Sequence, residues 1–403
     1  MAVQASGENS VSTDMTAQDL LSLLGSVGMS AAGQPVTPET AMRVSAVYGC
    51  VSLVAGAIST LPLAIYEREG QTRKRAEHDY WWMFNEQACE GMTSAAAWEY
   101  MISAKLFYGD AIAEWIRPSH YSSRVIGWQP LHPRRVQPFK SAEGNLLYQV
   151  QPYVGPSYVL EPADVMHLPS LGFDGISSPS PITHAAREAI GSALASEEFS
   201  ARFFSQGATS DIALKSAKNM TTAQADLLRA SFMAKYGGGK NSRIPLVLAG
   251  GLEIEALSMN NVDAALLPTR HFTVEEICRI FGVPPYMVGH TDKATSFGTG
   301  IEQQGMGFVR YTLQRHLTPI AQECNRKLWP VRSRYFVEHV TQALERGDLK
   351  SRYEAHRIAL GRAGEQPWMA VDEVRRIENL PPDANLKINP GAANAQPTPA
   401  AAQ

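Results

Sequence analysis

Residues Phe272 to Gly289 read FTVEEICRIFGVPPYMVG. Val274, Ile277, Cys278 and Phe281 fall at i, i+3, i+4 and i+7, the spacing of one apolar helical face. Gly282 offers a stop, and the Val283-Pro284-Pro285 run beyond it cannot continue a helix, because proline lacks an N–H and its ring clashes with the preceding turn. His290 to Gly300, HTDKATSFGTG, is a polar segment rich in Gly, Ser and Thr, with one Lys and one Asp. A second helical pattern starts near Ile301, with its stripe at Val309, Leu313, Leu317, Ile320, Cys324 and Leu328. Its internal Pro319 predicts a kink. Helix, proline stop, polar loop and long helix are mechanical parts, and no catalytic motif lies among them.

Upstream, Asn261 or Thr273 opens the first of these helices, and Pro268 is expected to break or kink it. Two short strands, IPLVLAG and LEIEALS, meet at Gly250-Gly251 and read as a small hairpin. The helix TTAQADLLRASFMAKY opens with a Thr221-x-x-Gln224 capping box and ends at Gly237 to Gly239. Before it lies an Ala-rich helix with Ser180 as N-cap, Pro181 as first helical residue and Gly207 as stop. Five strands precede that: AIAEWI, VIGWQPL, RVQPF, LLYQV and VMHLP. A helix opened by Thr93 and stopped by Gly109 comes earlier, behind the aromatic patch Tyr80 to Phe84.

Val44 to Tyr66 carries no charge and is long enough on paper to span a bilayer. Its Val47, Val51, Val54 and Ile58 share one helical face, with Ser52 and Ser59 elsewhere and Pro62 near its end. The reading is a buried amphipathic helix capped by Ser45, then a short strand LAIYE, and no membrane span. Toward the C-terminus, a strand RYFVEHV leads to two helical stretches, ALERGDLKSRYEAHRIALGR and MAVDEVRRIENLPP. The Ala/Pro-rich end, NPGAANAQPTPAAAQ, has no means of building a core.

The 403 residues allow two or three domains, and 44% hydrophobic with 19% charged residues is an ordinary globular composition. With 36 Lys+Arg against 39 Asp+Glu the net charge is −3, which argues against a nucleic-acid coat protein. A polyanion can slide past such a protein, since each neutralised phosphate would hold it in place. Cys50, Cys89, Cys278 and Cys324 form no CxxC or Cys/His cluster and read as buried free thiols. The opening MAVQASGENS lacks the basic and apolar regions of a signal peptide. Trp81, Trp82, Trp98, Trp115 and Trp128 read as packing residues, because base-stacking platforms need interleaved Arg and Lys. GGGKNS at 237–242 fails as a phosphate-binding loop: Ala234 stands at the first glycine position and Asn241 at the hydroxyl position. There is no HExxH and no GxSxG. The expectation is a protein that is no enzyme, with no catalytic residue, metal site or cofactor.

Taken in order, VSAVYGCVSLVAGAISTLPLAIYE, YGDAIAEWI, WQPLHPRRV, GISSPSPITHAAREAIGSALASEEFSARFFSQGA, LVLAGGLEIEALS, HFTVEEICRIFGVPPYMVG, RYTLQRHLTPIAQECNRKL, GDLKSRYEAHRIAL and DEVRRIENLPP resemble tailed-bacteriophage portal proteins. The resemblance runs from about Val44 to Pro382 and is to the compact portals of long-tailed phages, the siphophage group. It implies an α+β subunit with a mixed α/β wing, helical stem, β-hairpin clip and helical crown, assembling as a dodecameric ring. By resemblance the divisions are 1–43, a flexible arm; 44–220, wing; 221–236, stem helix; 237–260, clip; and 261–288, stem helix. Then follow 289–300, tunnel loop; 301–339, long helix and return to the wing; 340–382, crown; and 383–403, a disordered tail. Thr291, Lys293, Thr295, Ser296 and Thr299 would face the DNA channel, and Lys240, Asn241 and Arg243 would dock partners. The implied partners are further copies of the chain, the major capsid protein, the terminase large subunit, the head-tail connector and double-stranded DNA passing without sequence readout. The implied location is a capsid vertex of the virion, reached from the host cytoplasm. A portal of a gene-transfer particle or defective prophage would read the same, and a DNA-packaging enzyme is the competing class.

Overall fold

The charge-free stretch folds as one helix, Ser45–Ser59, with Val47, Cys50, Val51, Val54 and Ile58 buried. The computed structural model describes residues 28–70, 72–119, 122–206, 212–216, 221–236, 252–256, 262–291, 304–329, 331, 334–341, 349–361, 366–378 and 380. Ser45 is the first helical residue and not the cap. Val44 occupies the cap position, its carbonyl taking the Tyr48 N–H at 3.0 Å, with no side-chain bond to the free amides. The chain divides into two compact units, residues 1–295 with 310–340 and residues 296–309 with 341–403.

In the larger unit, Ser45–Ser59 packs against helix Ser94–Tyr108 and helix Val262–Phe281. Thr93 caps the first of these, its hydroxyl accepting from Ala96 N–H at 3.4 Å, and Gly109 ends it at φ 94°. Cys50 and Cys278 meet between the other two helices, Sγ to Sγ at 3.8 Å, both fully buried free thiols. Among the described residues no helix is long and apolar enough to cross a membrane.

Three antiparallel sheets of three strands carry the rest of this unit. Leu63–Glu69 lies between Tyr335–His339 and Thr72–Arg75. Asp110–Ile116 lies between Val165–Pro169 and Gly127–Leu131. Val136–Lys140, Leu146–Val150 and Tyr158–Leu160 form a meander. The five strands predicted from the pattern are all present. Tyr158–Leu160 escapes a pattern search because it has only three residues, two of them exposed. The aromatic patch is itself a helix, Tyr80–Asn85, burying Tyr80, Met83 and Phe84. Trp98 and Trp128 stack at 4.4 Å and donate their indole N–H groups to the carbonyls of Phe84 and Met83 at 3.1 and 3.0 Å. Those two tryptophans are core residues, as is Trp115.

Several expectations change on folding. Helix Val262–Phe281 runs without interruption through Pro268. One missing N–H costs a single backbone bond, and the neighbouring turns hold the rest. The Ala-rich helix is two helices, Pro181–His184 and Arg187–Gln206, with Ser180 capping the first as expected. Strand Leu252–Ala256 pairs antiparallel with Ile212–Ser216, a partner on the far side of helix Thr222–Tyr236 in sequence. Its expected hairpin partner, 244–250, lies outside the described residues. In the long second helix a π-turn, Phe308–Leu313, precedes Gln314–Leu328, which continues through Pro319. Residues 28–43, assigned to the arm, pack on the body. Val36 is fully buried, Thr37 and Thr40 form a capping box, and Ala31 N–H donates to Glu188 at 2.9 Å.

A polar centre sits inside the larger unit. Buried Asp110 accepts from His167 Nε2 at 3.1 Å and from the Ser178 N–H at 2.8 Å. His167 Nδ1 lies 3.1 Å from the Tyr148 hydroxyl, so the ring bridges Asp110 and Tyr148, and in the tautomer protonated at Nε2 it donates to Asp110 and accepts from Tyr148. Burial, with Glu323 and Asp110 nearby, pushes the Tyr148 hydroxyl far above its usual range, so it stays a donor. In the smaller unit, helices Leu349–Ala359 and Val371–Ile377 are joined through Glu378, which hydrogen-bonds His356 Nε2 at 2.8 Å and forms an ion pair with Arg352, Nε at 2.8 Å.

Gly109 joins helix, strand and this centre. A Cβ there would sit 2.5 Å from the Ser178 carbonyl and 2.6 Å from that of Pro179, on a backbone of φ 94°. Gly109→Ala should therefore lower stability by about 2 kcal/mol or more, measured as a fall in the denaturant midpoint at unchanged slope.

Candidate channel loop and assembly surfaces

The polar loop springs from a rigid base. Helix Val262–Phe281 ends with Gly282 at φ 70°, its N–H bonding Arg279 O at 3.3 Å, while Val283 N–H reaches back to Cys278 O at 2.9 Å. This pair of bonds is a Schellman stop, and it requires the left-handed conformation that glycine adopts without strain. Ile277, Cys278 and Phe281 are buried and Val274 is half-buried, so the predicted apolar face is the packed face. Pro284 and Pro285 then start a single turn, Pro285–Val288, which closes at Gly289 in the left-handed region.

The start of the polar segment and the helix that follows it are both tied to the end of Val262–Phe281. His290 lies over His271, ring centroids 5.2 Å apart, and its Nε2 stands 3.7 Å from the Glu275 carboxylate. His271 and Glu275 are one turn apart on Val262–Phe281, so the first residue after the glycine is clamped to that helix. On the returning side, the Thr312 hydroxyl donates to the Gly282 carbonyl, and Gly282 is packed so that a Cβ would meet Thr312 Oγ1 at 3.3 Å.

Of the residues expected to face a channel, Thr291 is described and exposed. Lys293, Thr295, Ser296 and Thr299 lie outside the described residues, as do the expected docking residues Lys240, Asn241 and Arg243. The clamp residues His271, Glu275, His290 and Thr312 carried no sequence signal beyond their position on either side of a polar segment.

Beside the helix end is a cavity of about 130 Å³, lined by Ile280, Phe281, His184, Arg315 and His316 among others. Burial, with Lys105 and Arg315 close by, holds the His316 imidazole down at about 3, so it is neutral at physiological pH. Among the described residues no group of three His, Cys, Asp or Glu side chains could hold a metal ion.

Helix Thr222–Tyr236 is a different kind of surface. Thr221 N–H is taken by Gln224 at 3.1 Å, one half of the expected capping box. From Thr222 to Ser231 every residue is exposed except Leu228, which is half-buried, and Leu227 is 71% exposed. An isolated helix of this length is marginal in water, and its Leu and Ala residues up to Ala230 have little covering layer among the described residues.

The phage portal protein family model matches residues 45–379. The chain belongs to the phage portal protein family. It is 32% identical to the portal protein of Enterobacteria phage HK97 over 354 residues, covering 86% of this chain and 81% of that protein. It is 29% identical to the probable portal protein of Streptomyces phage phiC31 over 396 residues, covering 93% and 84%. The fold is similar to a chain in the virion of a native gene transfer agent particle, with a TM-score of 0.60 at 20% identity over 90% of this chain and 99% of that one. It is also similar to an HK97-family phage portal protein from Corynebacterium diphtheriae, with a TM-score of 0.56 at 16% identity over 75% and 94%.

The clamp at Thr312 is testable. Thr312→Val removes one hydrogen bond of about 1 kcal/mol while keeping the shape. Hydrogen exchange should quicken at residues 282–291 and stay unchanged in the strands around Asp110.

Proposed function

We propose that this portal-family chain assembles as a dodecameric ring at one capsid vertex, of the compact long-tailed-phage group. The ring conducts double-stranded DNA during packaging and ejection and docks the terminase large subunit, the head-tail connector and the major capsid protein. The observation that carries the ring is helix Thr222–Tyr236, whose exposed Leu227 and neighbouring alanines have no cover among the described residues. Laterally arranged copies would supply it.

The divisions read from the resemblance go with this proposal: wing to 220, stem helices 221–236 and 261–288, clip 237–260, tunnel loop 289–300 and crown 340–382. The short interval between the stem helices favours the compact group. In this reading the protein works by shape and weak contact, without catalysis. A clamp on each side of a polar loop suits a part that must swing at its tip and hold at its root. Thr291, Lys293, Thr295, Ser296 and Thr299 would offer hydroxyls and one cation to passing phosphates, exposed contacts worth about 1 kcal/mol or less each.

Ring formation is checked by mass photometry of the purified chain. Leu227→Glu should leave the protomer folded, since its side chain is exposed in the single chain, and shift the population from rings to monomers. A chain that stays monomeric in every condition would refute the ring. For the loop, deletion of residues 292–299 keeps both clamps and should leave rings intact. In complemented particles the same deletion should lower the amount of retained DNA, and full-length, stably held genomes would end the loop's proposed role.

A further inference from the structure

The net charge of the chain conceals a concentrated basic surface on the sheet formed by Tyr335–His339, Leu63–Glu69 and Thr72–Arg75. Register decides which side chains share a face, because directly opposite residues project to the same side. Tyr66 stands opposite both Phe336 and Arg75, and Arg68 stands opposite Arg73. On the other flank of Arg68 lies Arg334, whose carbonyl takes the Arg68 N–H at 2.9 Å. Arg68 and Arg73 therefore form a cross-strand pair about 5 Å apart at the usual strand spacing, while the Arg334 side chain turns to Glu67 and Tyr335. Arg75 sits two residues along the edge strand, about 6.8 Å further. The opposite face holds Leu63, Ile65 and Val337 in the core.

Like charges directly opposite on a sheet are unfavourable. Arg68 and Arg73, directly opposite on exposed strand positions, carry that cost, which ring contacts and the Arg73–Glu338 pair offset in part. They are also ordered. Tyr66 and Phe336 stack at 5.5 Å, the Arg68 guanidinium lies 4.6 Å from the Phe336 ring centre, and that of Arg73 lies 4.9 Å from the Tyr66 ring centre. Arg73 reaches across to Glu338, and Arg334 bonds Glu67 at 2.8 Å. Arg68, Lys74 and Arg75 have no ion-pair partner among the described residues. Stacked guanidiniums lose little freedom on binding and present their outer N–H groups in a planar fork suited to phosphate.

We propose that this sheet face is a second contact for double-stranded DNA, binding its phosphate backbone without reading sequence. The rings lie under guanidiniums and are not free to stack on bases, which favours backbone contact over single-strand binding. Successive phosphates of one strand rise about 3.4 Å along the duplex axis. Cations about 5 and 7 Å apart on a flat, twisted sheet can engage several phosphates at once. An acidic protein segment would meet the same charge, but it lacks the fixed phosphate spacing that these arginines match. This inference goes beyond the channel reading and stands whether or not the chain forms rings.

The test is fluorescence anisotropy of a labelled 30-base-pair duplex with the full-length protein across a salt series. Arg68→Glu with Arg75→Glu should weaken binding at least about tenfold and lower the slope of log affinity against log salt by about two. Arg68→Lys with Arg75→Lys, which keeps the charge, should retain most of the affinity. Lys140→Glu with Arg357→Glu matches the charge change elsewhere and should have little effect. Melting temperature and particle mass are measured on every variant, and Arg68→Gln with Arg75→Gln replaces the double Glu variant if that one misfolds. Unchanged affinity in the folded double variant, or an equal loss in the charge-matched control, overturns the proposal. So does tighter binding of a poly-glutamate peptide than of duplex at the same salt. Loss of rings with this binding pattern intact would count against the channel reading alone.

Discussion

A carboxylate inside a protein has to be surrounded by donors, and Asp110 sets that condition for the larger unit of this chain. Leaving it unpaired would cost several kcal/mol, on the order of 3–5 when one partner of a buried charge is removed. Its partners come from His167 on the neighbouring strand and from the backbone of Ser178 in the loop that leads to the Ser180 cap. His167 passes the demand on to Tyr148 in the meander, and its own N–H reaches Glu323 on helix Gln314–Leu328. Glu323 in turn holds Lys327 and Arg326, and Lys327 bonds the Val165 carbonyl. Asp110 and Glu323, linked through His167, thus tie two sheets, a helix cap and the long helix into a fixed arrangement.

That arrangement gives the helix pair around the polar loop something to stand on. Helix Gln314–Leu328 is anchored through Glu323, helix Val262–Phe281 through its packing on Ser45–Ser59, and the two meet where Thr312 bonds Gly282. The exposed helix Thr222–Tyr236 is the complementary case. It exposes Leu227 with nothing among the described residues to cover it, so its stability would rise with any partner that binds there.

Much of the loop's surroundings was legible in the sequence because it depends on local chemistry. The i, i+3, i+4, i+7 face, the Gly282 stop and the paired prolines each act within a few residues. So do the Thr93 and Ser180 caps. The continuity of helix Val262–Phe281 through Pro268 was not legible, since a proline signals only its own lost bond and not the packing that outweighs it. The strand Leu252–Ala256 was legible as a strand, but its pairing with Ile212–Ser216 is a long-range choice. The clamp of His290 on His271 and Glu275 is likewise long-range on one side: a histidine after a glycine announces no partner.

The sequence by itself determined most of the long helices and the five regular strands of the middle region, several caps and stops, and, through the order of its motifs, the family. Those properties follow from backbone sterics, capping and periodicity, all of them short-range. Only the tertiary structure decided that Cys50 meets Cys278, that Asp110 is the polar hub, and that Arg68 stands opposite Arg73 with Arg75 beside them. The first two join residues far apart in the chain, and no local pattern encodes which strand lies beside which. TRKR at 72–75 is an ordinary charged run when read along the chain. It becomes a directed cationic surface only when the sheet sets it next to Arg68 and the Tyr66–Phe336 pair, because register is fixed by burial of the opposite face and not by the charges themselves.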